Sequence, residues 1–312
     1  MTKYFITGGA GFIGSHLCEK LVTDGNQVTV FDNLVSGHKE NIKQLEGMIG
    51  FQFIQNDLLN STALNEAMQG HDIVWHLGAN TDIPGGNKVT DLDLNNCTIA
   101  TKNVLEAMRD NNIDKILFCS SACVYGDATQ EAVSEAYGPL LPINMYGAGK
   151  LACEGLMSAY SHLFDINVWM FRFANVVGSR MGHGVIYDFI KKLKKNSMEL
   201  EILGDGNQEK PFFLVEDCIG GMICAFKNSR TQCDVFNLGP ETFTTVTRIG
   251  EIVSEEMGLK KVKFKYTGGK RGWPGDAPII HFDVNKMKHL GWQAKYSSDE
   301  AVRIATRRLL EK

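Results

Sequence analysis

Three features of the 312-residue sequence predict an α/β fold, a doubly wound parallel sheet with helices on both faces. Apolar, strand-like runs alternate with helix-patterned segments through the first half. A glycine-rich stretch separates the first strand from the first helix. An aspartate follows the second strand. The strands are expected at residues 4–7, 27–31, 51–55, 73–77, 115–120 and 167–171. Segments with a 3.6-residue period lie between them at 13–24, 61–68, 91–109 and 146–164. Right-handed crossovers then place ligands at the carboxyl ends of the strands. After Gly178 the alternation weakens, and glycine or proline punctuates Gly204-Asp205-Gly206, Gly239-Pro240, Gly268-Gly269 and Trp273-Pro274-Gly275. The expected division is 1–177 for the sheet domain and 178–312 for a smaller lobe, with chain crossings back to the sheet allowed. No internal repeat or low-complexity segment is present.

Bulk properties exclude several classes. Hydrophobic residues make up 44%, charged residues 22%, and the net charge is −4. So mild a balance argues against nucleic acid or an anionic membrane as the main partner. The run Lys191-Lys192-Leu193-Lys194-Lys195 reads as the solvated face of a helix, with a phosphate contact as the lesser alternative. Met1-Thr2-Lys3 leads straight into the first strand, so no signal peptide is expected. No window approaches the ~18 apolar residues of a membrane span. The eight cysteines form no Cys-x-x-Cys pair and several lie in apolar runs, which fits reduced thiols in the cytoplasm. No tight Cys/His spacing suggests a metal.

The segment Thr7-Gly8-Gly9-Ala10-Gly11-Phe12-Ile13-Gly14 holds two overlapping glycine registers, Gly9-x-Gly11-x-x-Gly14 and Gly8-x-x-Gly11-x-x-Gly14. Glycine permits a sharp turn, close approach to a pyrophosphate and tight helix packing. The helix N-terminus adds free N–H groups and a positive dipole. Asp32 follows strand two, where a carboxylate accepts from an adenosine ribose and repels a 2′-phosphate. The pattern is that of a Rossmann domain binding NAD. Asp57 follows strand three; it can meet the adenine or cap a helix before Leu58.

Tyr146 and Lys150 stand four apart in Tyr146-Gly147-Ala148-Gly149-Lys150. On a helix such positions share a face, about 5–6 Å apart at Cβ. An ammonium there favours the phenolate. Bringing a tyrosine from pKa ~10 to neutrality takes about 3 units, roughly 4 kcal/mol, which a lysine and an oxidised nicotinamide can supply together. Strand five runs into Cys119-Ser120-Ser121-Ala122-Cys123-Val124-Tyr125-Gly126. Ser121 can hydrogen-bond a substrate oxygen, relay a proton to Tyr146, or satisfy the strand-end backbone.

Together, Thr7–Gly14, Ser121 before Val124-Tyr125-Gly126, and Tyr146-x-x-x-Lys150 resemble the extended short-chain dehydrogenase/reductase family, and within it the NAD-dependent UDP-glucose (UDP-galactose) 4-epimerases. The likeness runs nearly end to end, through Arg172–Gly178, His183–Ile186, Leu203–Gly206 and Arg271–Asp276. It implies that Tyr146 is the base, that Lys150 holds the nicotinamide ribose, and that Ser121 is the hydrogen-bonding partner. It implies NAD contacts from Gly8, Gly11, Phe12, Ile13, Gly14, Asp32, Asn33, Ser36, Asp57, Leu58, Leu77, Ala79, Asn96 and Lys150. It assigns Asn175, Lys210, Arg271 and Asp276 to the nucleotide-sugar substrate in a substrate-binding lobe, along with Ser121 and Tyr146. Lys210 stands where many relatives carry arginine; lysine lacks the bidentate fork. A homodimer through the helices of 91–109 and 146–164 is implied too.

Departures narrow the reading. Dehydratases of this group need an Asp-Glu pair before Val-Tyr-Gly, and this chain has Ala122-Cys123. Ile279-Ile280 stand where many relatives narrow the sugar pocket with tyrosine, which leaves room for larger sugars. Gly78 replaces the usual alanine after Leu77. The expected activity is 4-epimerisation of a UDP-hexose. The alternatives are C4 oxidation with release of a 4-keto sugar, epimerisation at another carbon, or a non-catalytic NAD sensor.

Overall fold

The computed structural model describes residues 1–128 and 132–311. Two compact units are present: Met1–Val124 with Met145–Arg172 and Ala225–Phe236, and Tyr125–Asn144 with Phe173–Cys224 and Asn237–Lys312. The first unit thus takes in a segment well past Gly178.

In the first unit the chain runs β1 (Lys3–Thr7), α1 (Phe12–Thr23), β2 (Gln27–Asp32), β3 (Phe51–Gln55), α2 (Ser61–Met68), β4 (Ile73–His76), α3 (Ala100–Asp110), β5 (Lys115–Ser121), α4 (Met145–Phe164), β6 (Asn167–Phe173) and β7 (Cys233–Leu238). The strands form one parallel sheet in the order β7–β6–β5–β4–β1–β2–β3. The order reverses between β1 and β4, which opens a crevice at their carboxyl ends. Register puts Thr7 beside both Phe31 and His76, so the glycine loop begins at that crevice. Phe5, Phe31, Val74 and Phe118 from the strands pack with Val104, Leu105 and Met157 from α3 and α4. Met157 is therefore core, with Leu156 packed against it.

Two departures from expectation have physical reasons. The helix expected at 91–109 is broken: Asp91–Asp93 is one helical turn, Leu94–Ile99 is a π-helical stretch, and α3 follows. The π insertion turns Asp93 and Cys97 inward against α4, where a Cβ on Gly149 would lie 3.2 Å from the Cys97 Cβ and 3.3 Å from the Asp93 carbonyl. Strand β7 had no clear signal, because Cys233-Asp234-Val235-Phe236-Asn237-Leu238 carries two polar residues in a short run.

The second unit is built from short pairs. Asn175–Val177 lies parallel to Phe212–Leu214, and Glu199–Ile202 parallel to Lys263–Tyr266. Glu209–Lys210 runs antiparallel to Thr244–Thr245. Helix Ser298–Leu310 opens with a complete capping box between Ser297 and Glu300. Helix Val185–Lys195 buries Ile186, Phe189, Ile190 and Leu193, and its lysine run lies on the opposite face, where Lys192 pairs with Asp188 and Glu201. Among the described residues, no helix is long and apolar enough to cross a membrane.

Candidate active site

Close backbone contacts shape the glycine loop. Gly8 has φ +69°, and the Gly11 N–H returns to its carbonyl at 3.2 Å. A Cβ on Gly14 would sit 2.3 Å from that carbonyl, so α1 closes on the loop only without one. Gly11 is the N-cap of α1 and offers no side-chain cap, which leaves the first N–H groups of the helix to other acceptors. Asp32, buried at the end of β2, accepts from the Ala10 N–H at 3.0 Å and the Leu34 N–H at 2.8 Å. Burial pushes its carboxyl up, and these two bonds pull it down. A cradle that a Cβ would fill, an uncapped helix N-terminus and a placed carboxylate fit a dinucleotide with a free ribose diol.

Tyr146 and Lys150 occupy one face of α4, as expected. The Lys150 Nζ lies 5.7 Å from the Tyr146 ring centre and 4.8 Å from that of Phe118, and donates to the Cys119 carbonyl at 2.7 Å. Glycine inside the motif permits this: a Cβ on Gly147 would lie 2.5 Å from the Cys123 carbonyl, so α4 packs directly on the turn after β5. Burial pushes the Tyr146 hydroxyl up and Lys150 pulls it down more weakly, so the net direction is upward. Lys150 thus acts in the expected direction and does not by itself outweigh burial. Burial also works against the charge on Lys150, but Cys97, Tyr146, Cys153 and Cys119 together outweigh it, and Lys150 is held charged. Ser121 Oγ accepts from the Cys123 N–H at 3.2 Å, a strand-end contact that leaves its own proton to donate.

This geometry has close counterparts. The chain matches the model of the NAD dependent epimerase/dehydratase family over residues 4–239. It belongs to that family. A crystal structure of a UDP-galactose 4-epimerase is 34% identical, with TM-score 0.89 and 99% of each chain covered. A UDP-glucuronic acid 4-epimerase from Bacillus cereus, solved with UDP-glucuronic acid and NAD, is 28% identical, with TM-score 0.90 and 99% of each chain covered. The UDP-glucose 4-epimerase of Lactobacillus helveticus is 29% identical over 97% of this chain and 95% of its own.

NAD is thus the cofactor of an epimerase-family chain whose remaining expected contacts fall as follows. Asn33 donates to Asp57 at 2.8 Å and accepts from the Val35 N–H at 3.1 Å. Asp57 also accepts from the Leu59 N–H at 2.8 Å; the cap of α2 is Asn60, not Asp57. Ser36 is exposed, whereas Leu58, Leu77 and Ala79 are half-buried. A Cβ on Gly78 would lie 2.9 Å from Leu58 and 3.2 Å from Thr7 Oγ1, which explains glycine there. Asn96 is half-buried, and the residue packed under Gly149 is its neighbour Cys97.

In the second unit, Lys210 pairs with Asp276, whose other oxygen accepts from the Gly272 N–H at 3.1 Å. Arg271 forks onto Asp127 at 2.5 and 3.0 Å and donates to the Asp276 carbonyl at 2.5 Å. Asn175 pairs with the Pro211 carbonyl through both its backbone and its side chain, at 3.0 and 3.2 Å. Asp127 was not foreseen.

Two buried polar groups in the first unit also escaped the sequence reading. Glu154, four residues past Lys150, takes Ser120 Oγ at 2.6 Å and Arg172 at 2.7 and 3.0 Å. His76 lies fully buried at the end of β4, between Thr7 and Thr101. The available signal was a charged or imidazole residue inside an otherwise apolar strand, in Ile73-Val74-Trp75-His76 and Val168-Trp169-Met170-Phe171-Arg172.

Proposed function

We propose that this protein is a nucleotide-sugar 4-epimerase acting on a UDP-hexose. The observation that carries the reading is the Tyr146–Lys150 pair on α4 beside a turn after β5 that presents Ser121, Ala122 and Cys123 without a carboxylate. Such a site can move one proton on and off a hydroxyl, and it lacks an acid–base pair for eliminating water. The similarity to sugar-nucleotide 4-epimerases supports the same choice.

NAD, when bound, supplies a reversible hydride acceptor. Tyr146 takes the proton of the sugar C4 hydroxyl and later returns it to the same oxygen, once C4 has the inverted configuration. Lys150 stays charged, holds the ribose hydroxyls, and offsets part of the burial cost that raises Tyr146. The Ser121 hydroxyl donates to the sugar oxygen. Gly8, Gly11 and Gly14 carry the pyrophosphate and Asp32 the adenosine ribose; Asn175, Lys210 and Arg271 are the proposed diphosphate partners. The reading includes a homodimer, with exposed Leu94, Ile99 and Leu163 as apolar surface for a second copy to cover.

The test is a panel of UDP-, GDP-, CDP- and dTDP-sugars followed by NMR, with bound NAD quantified first. An epimer at C4 without net NADH is expected. Tyr146→Phe should lower kcat by at least about 100-fold, the scale of a lost acid–base group, and leave NAD bound. A released 4-keto sugar, or near wild-type turnover by that variant, would replace this reading.

A further inference from the structure

Beneath the crevice, four buried side chains form one string. The Gly78 N–H donates to Thr7 Oγ1 at 3.1 Å; Thr7 Oγ1 meets His76 Nδ1 at 2.7 Å. His76 Nε2 meets Thr101 Oγ1 at 2.9 Å, and Thr101 Oγ1 meets Cys153 Sγ at 3.1 Å. Cys153 and Cys97 are both buried free thiols. Thr7, His76, Thr101, Cys153 and Cys97 are each no more than 1% exposed.

The protons in this string run one way. Thr7 Oγ1 spends a lone pair on the Gly78 N–H, and its own proton points to His76 Nδ1. Nε2 then carries the ring hydrogen and gives it to Thr101, whose proton goes to Cys153 Sγ. The opposite sense would leave the Thr7 proton buried with nothing to accept it, at a cost of about 1–3 kcal/mol. One tautomer of a neutral ring is therefore selected. Burial, aided by the charge on Lys150, keeps the ring neutral.

The ends of the string matter most. Thr7 immediately precedes Gly8 of the dinucleotide loop. Cys153 lies three residues past Lys150 on α4. We propose that His76 is a positioning residue: it couples the dinucleotide loop to the helix that bears Tyr146 and Lys150, through hydroxyls on β1 and α3. The inference rests on the reading of Tyr146 and Lys150 as the reactive pair, and it adds a residue that touches neither sugar nor nicotinamide.

Thr7→Val and Thr101→Val keep side-chain shape and remove the hydroxyl at either side of the ring; His76→Leu removes the centre. Each is compared with wild type for NAD affinity by calorimetry on protein stripped of cofactor, for sugar kcat and KM, and for folding by circular dichroism. Thr101→Val, on the helix side of the ring, should weaken NAD about fivefold to tenfold, the size of one buried hydrogen bond. The Thr7→Val/Thr101→Val double variant should be little worse than the poorer single one, because one string is broken twice. In turnover, kcat should fall while the sugar KM holds. NAD affinity within twofold of wild type for Thr101→Val, or full additivity of the two changes, would overturn the proposal. Should His76→Leu fail to fold, the two valine variants still decide. The NAD measurement needs no sugar, so a chain inactive on every nucleotide sugar but showing this coupling refutes the epimerase reading and leaves the positioning role standing.

Discussion

Glu154→Leu tests how the helix that bears Tyr146 and Lys150 is held. The Glu154 carboxylate is 7% exposed and faces the Arg172 guanidinium, 5% exposed, at 2.7 Å. Its other oxygen takes Ser120 Oγ at 2.6 Å and Arg172 Nε at 3.0 Å. Leucine keeps the bulk and removes the carboxylate opposite a buried cation. Breaking a buried pair from one side costs about 3–5 kcal/mol. For a chain of this size that moves the unfolding midpoint of the first unit by roughly 10 °C. Replacing both partners, Glu154→Leu with Arg172→Met, removes charge and counter-charge together, and should recover at least about 1 kcal/mol relative to the single change. Differential scanning calorimetry with urea titration reads both. Because Glu154 lies one turn past Lys150, and Ser120 adjoins Ser121, the single variant should also lower kcat. A midpoint shift under about 2 °C, or a double variant as unstable as the sum of the singles, would show that this pair does not anchor α4.

Further outcomes follow from the same geometry. Gly147→Ala puts a Cβ at 2.5 Å from the Cys123 carbonyl. It should cost about 1–3 kcal/mol by chemical denaturation and depress kcat, since backbone must move. Asp32→Asn keeps side-chain acceptor capacity but drops the charge, and should reduce the preference for NAD over its 2′-phosphorylated form by about tenfold in a binding titration. His76 sets an acid limb for stability. Its pKa is pushed from 6.5 down to about 3, first by burial and then by Lys150, so the folded chain binds fewer protons than the unfolded one across that window. Stability should therefore fall as the pH drops below about 6.5 and keep falling toward 3, and His76→Gln should flatten that slope in unfolding titrations.

Much of this protein is legible in its sequence because its signals are local. A strand followed by Gly8, Gly11 and Gly14, and an acid after the next strand, specify a dinucleotide loop through backbone sterics alone. Tyr146 and Lys150 share a helix face by spacing alone. Other features depend on residues far apart in the chain. Strand β7 joins the sheet from residues 233–238 with no pattern of its own, because its pairing is set by β6. Asp127 meets Arg271 across 144 positions, and no spacing rule links them. The π-helical stretch at Leu94–Ile99 carries Cys97, which lies against Gly149 of α4.

The sequence by itself determined the fold class, the glycine loop and the pairing of Tyr146 with Lys150 on one helix face, since each rests on contacts within a turn or two of chain. Only the tertiary structure decided how that pair is tuned. Burial turned out to outweigh Lys150 at Tyr146, and His76, Thr101, Cys153 and Glu154 turned out to stand behind it. Desolvation and buried hydrogen bonds depend on what surrounds a group in space, which residue spacing does not encode.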